Sequence, residues 1–460
     1  AAGRARKPPA ARFGGVLHEP LPPATGAPRT DRIVGAGRSQ AEDGEGPSGL
    51  PAAIETAAGR IARPEAAATP NEVPRYEAAP AEGTAKAHVE LDRQTGADGA
   101  LHYSAVFDPS VAPFKRDLAF DSARDDGVLL VSGADLGPIE AGTGRARSGH
   151  ELFWGHVRLQ LVADRFTPLP SVSPSSRILR WQATPPLPLT FARDRAGNFQ
   201  VRSSRSGDVE LRYLMDAPSR YFGGTPGTGV SRDDPFVPSL PASLKSRMAI
   251  LWPALDVSPR QPRGQQIARL VAWFRSFEPG DPPPRGDDAL ADLVLGKRGV
   301  CRHRTLGFVW MAWSLGIPSL YVMNDAHTFV EVWLADPDGR GGWQRIDLGG
   351  GADTLELHAT EGKHLHQPVF RDPFPKPAAY SQQIGDIVGA GLLGDQSWAG
   401  ANRVTGGASF AGSGSVDSAE RRPVTAVGEP ATAANGAGPA AAPRRSDWLV
   451  ERAKTIAARR

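Results

Sequence analysis

Between residues 87 and 217, apolar residues fall in runs of four to seven, and several runs alternate apolar with polar positions. Asp, Gly, Pro and Ser separate the runs, and no helical period is sustained. Examples are the runs at 101–107, 157–162 and 209–214. Short strands at this spacing are typical of an antiparallel sandwich or barrel. We therefore predict an all-β, sandwich-like domain at 87–217, which would serve as a scaffold or binding module.

The pattern changes between residues 246 and 372, where apolar positions take on a helical period. One amphipathic face is formed by Ile267, Leu270, Val271 and Phe274. Further helices are predicted at 289–295 and 301–315, and Gly316 with Pro318 ends the second of these. Two strand-like runs follow, at 328–334 and 343–347. Helices followed by an antiparallel pair predict a second domain, which makes the fold class α+β.

The remaining segments lack the apolar residues that a packed core needs. The chain has 52 Gly and 43 Pro, crowded toward its ends. We predict disorder or linker at 1–86, a linker at 218–245 and a flexible low-complexity tail at 373–445, because such sequence cannot offset its ordering entropy. Residues 446–460 have the pattern of a short amphipathic helix.

Charge and apolar run length exclude several classes of function. The formal net charge is only +3 and no basic cluster stands out, so nucleic-acid binding is not expected. The longest apolar run, 306–317, is too short to span a bilayer. The chain begins at Ala1 rather than Met, which indicates a missing upstream segment: a signal peptide, an anchor or an artificial boundary. Membrane association is therefore expected only through segments outside the given chain.

Cys301 is the single cysteine, so an internal disulfide is excluded and a nucleophile becomes a candidate. Gly299 allows a close approach of the backbone just before it, and Cys301 then begins an apolar helix. The helix dipole and the unpaired N–H groups at that position favour the thiolate, which is the reactive form. The Cys301 backbone N–H is the expected donor to an oxyanion.

His327 and Asp347 are the expected partners of that thiol. Each lies at one end of the predicted strand pair, and the turn sequence at 336–339 lies between them. If the hairpin is centred on residue 337, the two residues oppose each other with Cβ atoms roughly 4.5–5.5 Å apart. A carboxylate at that distance can orient an imidazole and leave its other nitrogen for the cysteine.

Simpler interpretations exist for each residue alone. A lone cysteine at the start of an apolar helix is more often a small buried hydrophobe, and a lone histidine or aspartate at a strand end is usually structural. His303 is expected to be a polar residue of the first helical turn. His358, His364 and His366 could form a metal site, but one cysteine and no acidic ligand at helical spacing argue against it. No cofactor or metal is predicted.

At these residues the chain resembles the transglutaminase-like superfamily, which has a papain-like core and a Cys–His–Asp triad. The matching motifs are Gly299-Val-Cys301, Leu315-Gly-Ile-Pro318, His327-Thr-Phe-Val-Glu-Val332, Gly342-Trp343 and Ile346-Asp347. Two departures are Thr328-Phe329, where the family has Ala-Trp, and Gly349-Gly-Gly351, where Pro-Thr is commoner. The resemblance implies that Cys301 is the nucleophile, His327 the base and then the acid, and Asp347 the orienting residue. It leaves the side-chain oxyanion donor unassigned, with Trp273 as a candidate.

The resemblance implies an enzyme that transfers acyl groups from peptide or protein amides through a thioester. Whether water or an amine resolves the thioester, that is, peptidase or amidase against transferase, stays open. The alternative is a catalytically silent transglutaminase-like protein that binds peptides or serves as an envelope scaffold. A peptide or protein substrate is expected, and the oligomeric state is left open. Composition rich in Ala, Gly, Pro and Arg favours a bacterial origin, and an extracytoplasmic location is the favoured one.

Overall fold

The computed structural model describes residues 31–34, 49–68, 73–78, 86–87, 100–111, 114–125, 127–132, 136–142, 144–224, 234–236, 238–280, 288–335, 338–350, 354–358, 362–370 and 374. Apart from Phe374, the predicted tail at 373–445 and the predicted C-terminal helix at 446–460 lie outside the described residues.

The described residues combine α-helices with mostly antiparallel sheets, which confirms the α+β class. The helices are α1 Ala242–Leu255, α2 Arg263–Arg275, α3 Ala289–Gly296 and α4 Cys301–Ser314. The first ten strands are β1 Arg32–Val34, β2 Ala53–Thr56, β3 Gly59–Ala62, β4 Arg75–Glu77, β5 Lys86–Ala87, β6 Ala100–Ser104, β7 Phe107–Asp108, β8 Leu118–Phe120, β9 Ser122–Ala123 and β10 Leu129–Leu130. The others are β11 Gly137–Pro138, β12 His150–Leu161, β13 Thr167–Leu169, β14 Arg177–Thr184, β15 Thr190–Arg193, β16 Phe199–Arg202, β17 Gly207–Pro218, β18 Ser319–Met323, β19 Thr328–Ala335, β20 Gly341–Ile346 and β21 Thr354–His358.

The N-terminal half is built on the long antiparallel pair of β12 and β17, flanked by β14 on one side and β4 on the other. A second antiparallel sheet has the order β11-β15-β16-β13. Side chains of both sheets share one apolar cluster, to which β12 contributes Phe153 and Val157 and β16 contributes Phe199. The domain is therefore all-β as predicted, and its description as a sandwich stays a prediction.

Disorder is the wrong prediction for residues 49–68 and 73–78. Strands β1, β2 and β3 form a small antiparallel sheet. Its Ile54 and Ile61 pack with Trp154 of β12 and Leu214 of β17. Successive strand residues point to opposite faces, so this sheet covers the second face of the β12–β17 pair. That is why the first half of β12 is buried on both faces.

The predicted linker at 218–245 also contains ordered structure among its described residues. Residues Ser219–Tyr221 form a short 3-10 helix in which Tyr221 is buried, and α1 begins at Ala242. Tyr221 and Phe222 pack into the apolar cluster of the β domain. The chain therefore keeps contact with the β domain as it enters the helical part.

The second half combines four helices with a four-stranded antiparallel sheet of order β20-β19-β18-β8, and α1, α2 and α3 pack on α4. Helix α4 lies against this sheet, with Trp310 and Trp313 almost wholly buried. Burying a side chain of this size contributes on the order of 2–3 kcal/mol or more. The edge strand β8 comes from the predicted β-sandwich region, and its Phe120 pairs with Tyr321 of β18. The boundary predicted between the two domains therefore does not separate them in space.

Candidate functional site

Cys301 is the first residue of α4, where a tight backbone turn places it. Gly299 has φ +151°, and a Cβ there would lie 2.7 Å from Cβ of His303. The ring of His303 is buried, and its Nδ1 accepts a hydrogen bond from the Val300 backbone N–H at 3.1 Å. A side chain that reaches back from the third helical position stabilises a helix start. His303 therefore shapes the turn that presents Cys301, a larger role than the sequence predicts.

His327 ends a four-residue turn between β18 and β19. Oδ1 of Asn324 accepts the backbone N–H groups of Ala326 at 3.2 Å and His327 at 2.8 Å. The Asn324 N–H in turn donates to the carbonyl of His327 at 3.1 Å. Asn and Asp side chains commonly bond to backbone groups in this way. These hydrogen bonds hold the backbone around His327 independently of the contacts that its side chain makes.

Nε2 of His327 lies 3.2 Å from Oδ1 of Asp347. The ladder of β19 and β20 pairs Val330 with Ile346, so the hairpin is centred on residue 338 and not on the predicted 337. Extended at that register, the ladder would place Asp347 opposite Phe329. His327 lies one residue before β19 and Asp347 one residue after β20. Their side chains therefore meet diagonally, and the predicted direct opposition is wrong.

The Asp347 segment is held by two arginines and by its own turn. Oδ1 of Asp347 also accepts the Gly349 N–H at 2.7 Å. The guanidinium of Arg275 donates to the Asp347 carbonyl at 2.7 and 3.0 Å. Arg304, buried on α4, donates to the carbonyls of Leu348, Gly299 and Phe277. Arg304 thus ties the backbone before Cys301 to the backbone after Asp347.

The three predicted residues form one buried group in which the thiol and the imidazole affect each other. Cys301, His327 and Asp347 are 5, 2 and 3% exposed. Burial alone would raise the pKa of Cys301, but the hydrogen bond and charge of His327, together with Thr328, lower this pKa to about 7. Burial would lower the pKa of His327, but the charge and hydrogen bond of Asp347, followed by Cys301, raise it to about 10. Between these values the thiolate and the imidazolium coexist.

The expected oxyanion donor, the Cys301 N–H, and the side-chain candidate Trp273 both donate hydrogen bonds to backbone carbonyls. The Cys301 backbone N–H donates to the Gly350 carbonyl at 2.8 Å. Nε1 of Trp273 donates to the Val294 carbonyl at 3.0 Å, and Nζ of Lys297 lies 3.9 Å from the centre of its ring. Trp273 is thus held within the helical part. An oxyanion could use the Cys301 N–H only after Gly350 moves.

Sequence reasoning missed Asn324, Thr328 and Arg304. Thr328 was noted only as a departure from the family pattern, yet hydrogen bonds from it help lower the pKa of Cys301. Its Oγ1 also donates to Oγ1 of Thr305 on α4 at 3.3 Å. The Asn-Asp pair before His327 was a readable turn signal. The burial of Arg304 had no signal in the sequence.

The histidines considered for a metal site have other contacts. His364 lies 3.1 Å from Asp108, and His366 lies 2.6 Å from Glu151 with its ring packed at a tilt against Phe222. The side chain of His358 lies outside the described residues. In the described part of the chain no three His, Cys, Asp or Glu side chains cluster closely enough to hold a metal ion. None of the helices that the structure describes is long and apolar enough to cross a membrane.

Comparison with known proteins gives a family match over the site. Residues 254–348 match the model described as the transglutaminase-like superfamily. No curated protein matches the chain. Among solved structures, the periplasmic domain of TgpA from Pseudomonas aeruginosa, bound to ethylmercury, is 15% identical with a TM-score of 0.32, covering 53% of this chain and 87% of that one. A candidate cysteine protease from Cytophaga hutchinsonii is 14% identical with a TM-score of 0.26, covering 44% and 77%.

At such identities and scores, neither structure indicates what this chain acts on. The family match is more informative about the site, because it spans Cys301, His327 and Asp347 together with α4, β19 and β20. Residues 254–348, which carry Cys301, His327 and Asp347, are therefore similar to the transglutaminase-like superfamily.

Proposed function

We propose that the protein is a cysteine-dependent enzyme that transfers acyl groups from peptide or protein amides through a thioester. Cys301 is the nucleophile, His327 the general base and acid, and Asp347 the residue that orients the imidazole. The observation that carries the proposal is the 3.2 Å contact of His327 with Asp347 beside a cysteine whose pKa is lowered to about 7. A cysteine retained for packing alone would need neither partner.

The steps follow from these positions. The Cys301 thiolate attacks the amide carbonyl carbon and forms a tetrahedral oxyanion. Protonated His327 gives its proton to the leaving amine as the C–N bond breaks, which leaves a thioester and neutral imidazole. His327 then takes a proton from the incoming water or amine, whose attack breaks the C–S bond and releases the thiolate. Asp347 holds the ring throughout and stabilises its charged form.

A second candidate function, a silent peptide-binding or envelope scaffold, is favoured by a different observation. Cys301 is only 5% exposed, and its backbone N–H is bound by Gly350. A site in this closed state cannot stabilise an oxyanion through that N–H. The enzyme proposal therefore requires that the Gly350 segment moves when substrate binds, whereas a scaffold requires no such movement. An extracytoplasmic location remains a prediction of the sequence.

The test is the rate of Cys301 alkylation by iodoacetamide as a function of pH, in the wild type and in His327→Ala. Since Cys301 is the only cysteine in the sequence, all cysteine alkylation, measured as carbamidomethyl-cysteine, reports on this site. We expect the wild type to react with a midpoint near pH 7 and His327→Ala to shift toward the free-thiol value of about 8.5. Identical titrations near the free-thiol value would favour the scaffold. Amide and amine substrate pairs, with Cys301→Ala as the inactive control, would then separate hydrolysis from transamidation.

A further inference from the structure

The turn that carries His327 is bound to a distant part of the chain. Nδ2 of Asn324 donates to the Lys115 carbonyl at 3.1 Å. The Asp117 N–H donates to the carbonyl of Met323, the last residue of β18, at 3.2 Å. Lys115 and Asp117 lie just before β8. The segment that leads into the edge strand of the sheet therefore also binds the start of this turn, at Met323 and Asn324.

A buried ion pair strengthens the same junction. Nζ of Lys115 lies 2.8 Å from Oδ2 of Asp325, and the same oxygen accepts the Ser104 N–H at 2.6 Å. The side chains of Lys115 and Asp325 are 4 and 0% exposed. Asp325 lies two residues before His327. A carboxylate with two such donors has little freedom to move, and it restricts the turn on which it lies.

The Lys115 ammonium has further partners that keep it in place. Oδ2 of Asp117 lies 3.6 Å from its Nζ, and the Tyr76 hydroxyl donates to Oδ1 of Asp117 at 2.9 Å. Burial tends to lower the pKa of Lys115, yet Asp117 and Asp325 raise it above its usual value, so it stays charged. A buried charge is retained only where partners compensate its desolvation. Of these partners, Asp325 lies on the His327 turn, and Asp117 binds the carbonyl of Met323 just before it.

We propose that Lys115, acting through Asp325, is a positioning residue that holds the His327 turn and thereby sets the reactivity of Cys301. This inference rests on the proposed function, since it concerns the same nucleophile and base. Functional side chains must be held to within about 0.5 Å to work. His327 has to reach both Asp347 and Cys301, so a loosened turn weakens the interaction that lowers the thiol pKa. The β domain would then contribute to catalysis without contacting substrate.

The experiment is the alkylation titration of Cys301 in full-length Lys115→Met and Asp325→Asn. Methionine keeps the length of the lysine stem without its charge, and asparagine keeps the shape of aspartate. We expect the alkylation midpoint of each variant to rise by about one pH unit, which slows the reaction at pH 7 about fivefold because less thiolate is present. If Lys115→Met does not fold, Asp325→Asn decides the matter alone.

Arg177→Met is the matched control. Arg177 pairs with Asp216 between β14 and β17, so its loss also breaks an ion pair of the β domain. We expect its titration to match that of the wild type. If this control shifts as well, general loosening explains the effect and the inference fails.

The outcome also separates the inference from the proposed function. If His327→Ala shifts the titration while Lys115→Met and Asp325→Asn behave as wild type, Lys115 is structural only and the enzyme proposal survives. If His327→Ala itself titrates as wild type, the proposed function fails, and the positioning role fails with it.

Discussion

The backbone N–H of Cys301 donates to the carbonyl oxygen of Gly350 at 2.8 Å. This contact links the start of α4 to the glycine segment that follows Asp347. Gly350 has φ +81°, and a Cβ there would lie 2.8 Å from the Cys301 nitrogen and 2.7 Å from Nε of Arg304. The close approach thus depends on glycine, both for its conformation and for its lack of a side chain.

Gly350→Ala should break this contact. The added Cβ forces the segment away, and we expect the free energy of unfolding to fall by about 2–4 kcal/mol and the Cys301 amide to exchange faster with deuterium. Gly339→Ala is the control, because Gly339 has a similar φ of +79° and nothing within 4 Å of the added Cβ. It should lose only about 1–2 kcal/mol from backbone strain. Urea unfolding and hydrogen exchange measure both, and equal losses would contradict the expectation.

Asp347→Asn should shift the titration of Cys301 upward. The charge of Asp347 is the largest influence that raises the pKa of His327, so without it that pKa falls from about 10 toward 6.5. The imidazolium is then lost at lower pH and no longer stabilises the thiolate near pH 7. We expect alkylation at pH 7 to slow by about tenfold.

The exposed Asp338 provides the control for this charge removal. Its side chain is 74% exposed and lies near Arg340 at the surface. Asp338→Asn should leave the alkylation profile unchanged. A slow Asp338→Asn variant, or an Asp347→Asn variant that reacts like the wild type at pH 7, would show that Asp347 does not set the reactivity.

Arg116→Met should destabilise the protein strongly. Nε of Arg116 lies 2.7 Å from Oε1 of Glu331 on β19, and both side chains are almost fully buried. Removing one partner leaves a buried carboxylate uncompensated, which costs about 3–5 kcal/mol. The comparison is Arg158→Met, which breaks a half-exposed pair with Asp208 and should cost less than about 1 kcal/mol. Urea unfolding decides, and similar losses for the two variants would refute the prediction.

Ile54→Ala tests whether the N-terminal strands belong to the fold. Ile54 is fully buried against Trp154 and Leu214, so truncation should lower the free energy of unfolding by about 2–5 kcal/mol. Val162→Ala, at an exposed position, should change it by less than about 0.5 kcal/mol. No effect of Ile54→Ala would mean that this segment is detached in solution.

The sequence was informative where a residue and its neighbours along the chain decide the outcome. The start of α4 at Cys301 was predictable from Gly299 and from the apolar period that follows it. The meeting of His327 with Asp347 was predictable because a hairpin brings its two ends together. The centre of the hairpin was missed by one residue, so the pairing of the two strands differs from the prediction by two residues. His327 and Asp347 lie outside the strands, where loop geometry and not the ladder sets the direction of their side chains.

What the sequence could not predict depends on distant partners. The segment 49–68 has few large apolar residues. It is ordered because Ile54 and Ile61 pack against the apolar face that the β12–β17 pair presents to it. Lys115 and Arg304 look like ordinary surface residues in the sequence. Their burial follows from carboxylates and carbonyls that lie far along the chain or in the loops around the site.

Strand β8 also dictates an order of assembly. Its Phe120 pairs with Tyr321 of β18. The sheet behind Cys301 is therefore complete only when β18, from the second half of the chain, pairs with β8, which lies about 200 residues earlier in the sequence. Contacts this far apart in sequence slow folding, because a large loop must close before any stabilisation is gained. During synthesis the β domain can fold first, and β18 can then pair with its strand β8. The group formed by Cys301, His327 and Asp347 therefore cannot assemble until the chain has been synthesised beyond Asp347.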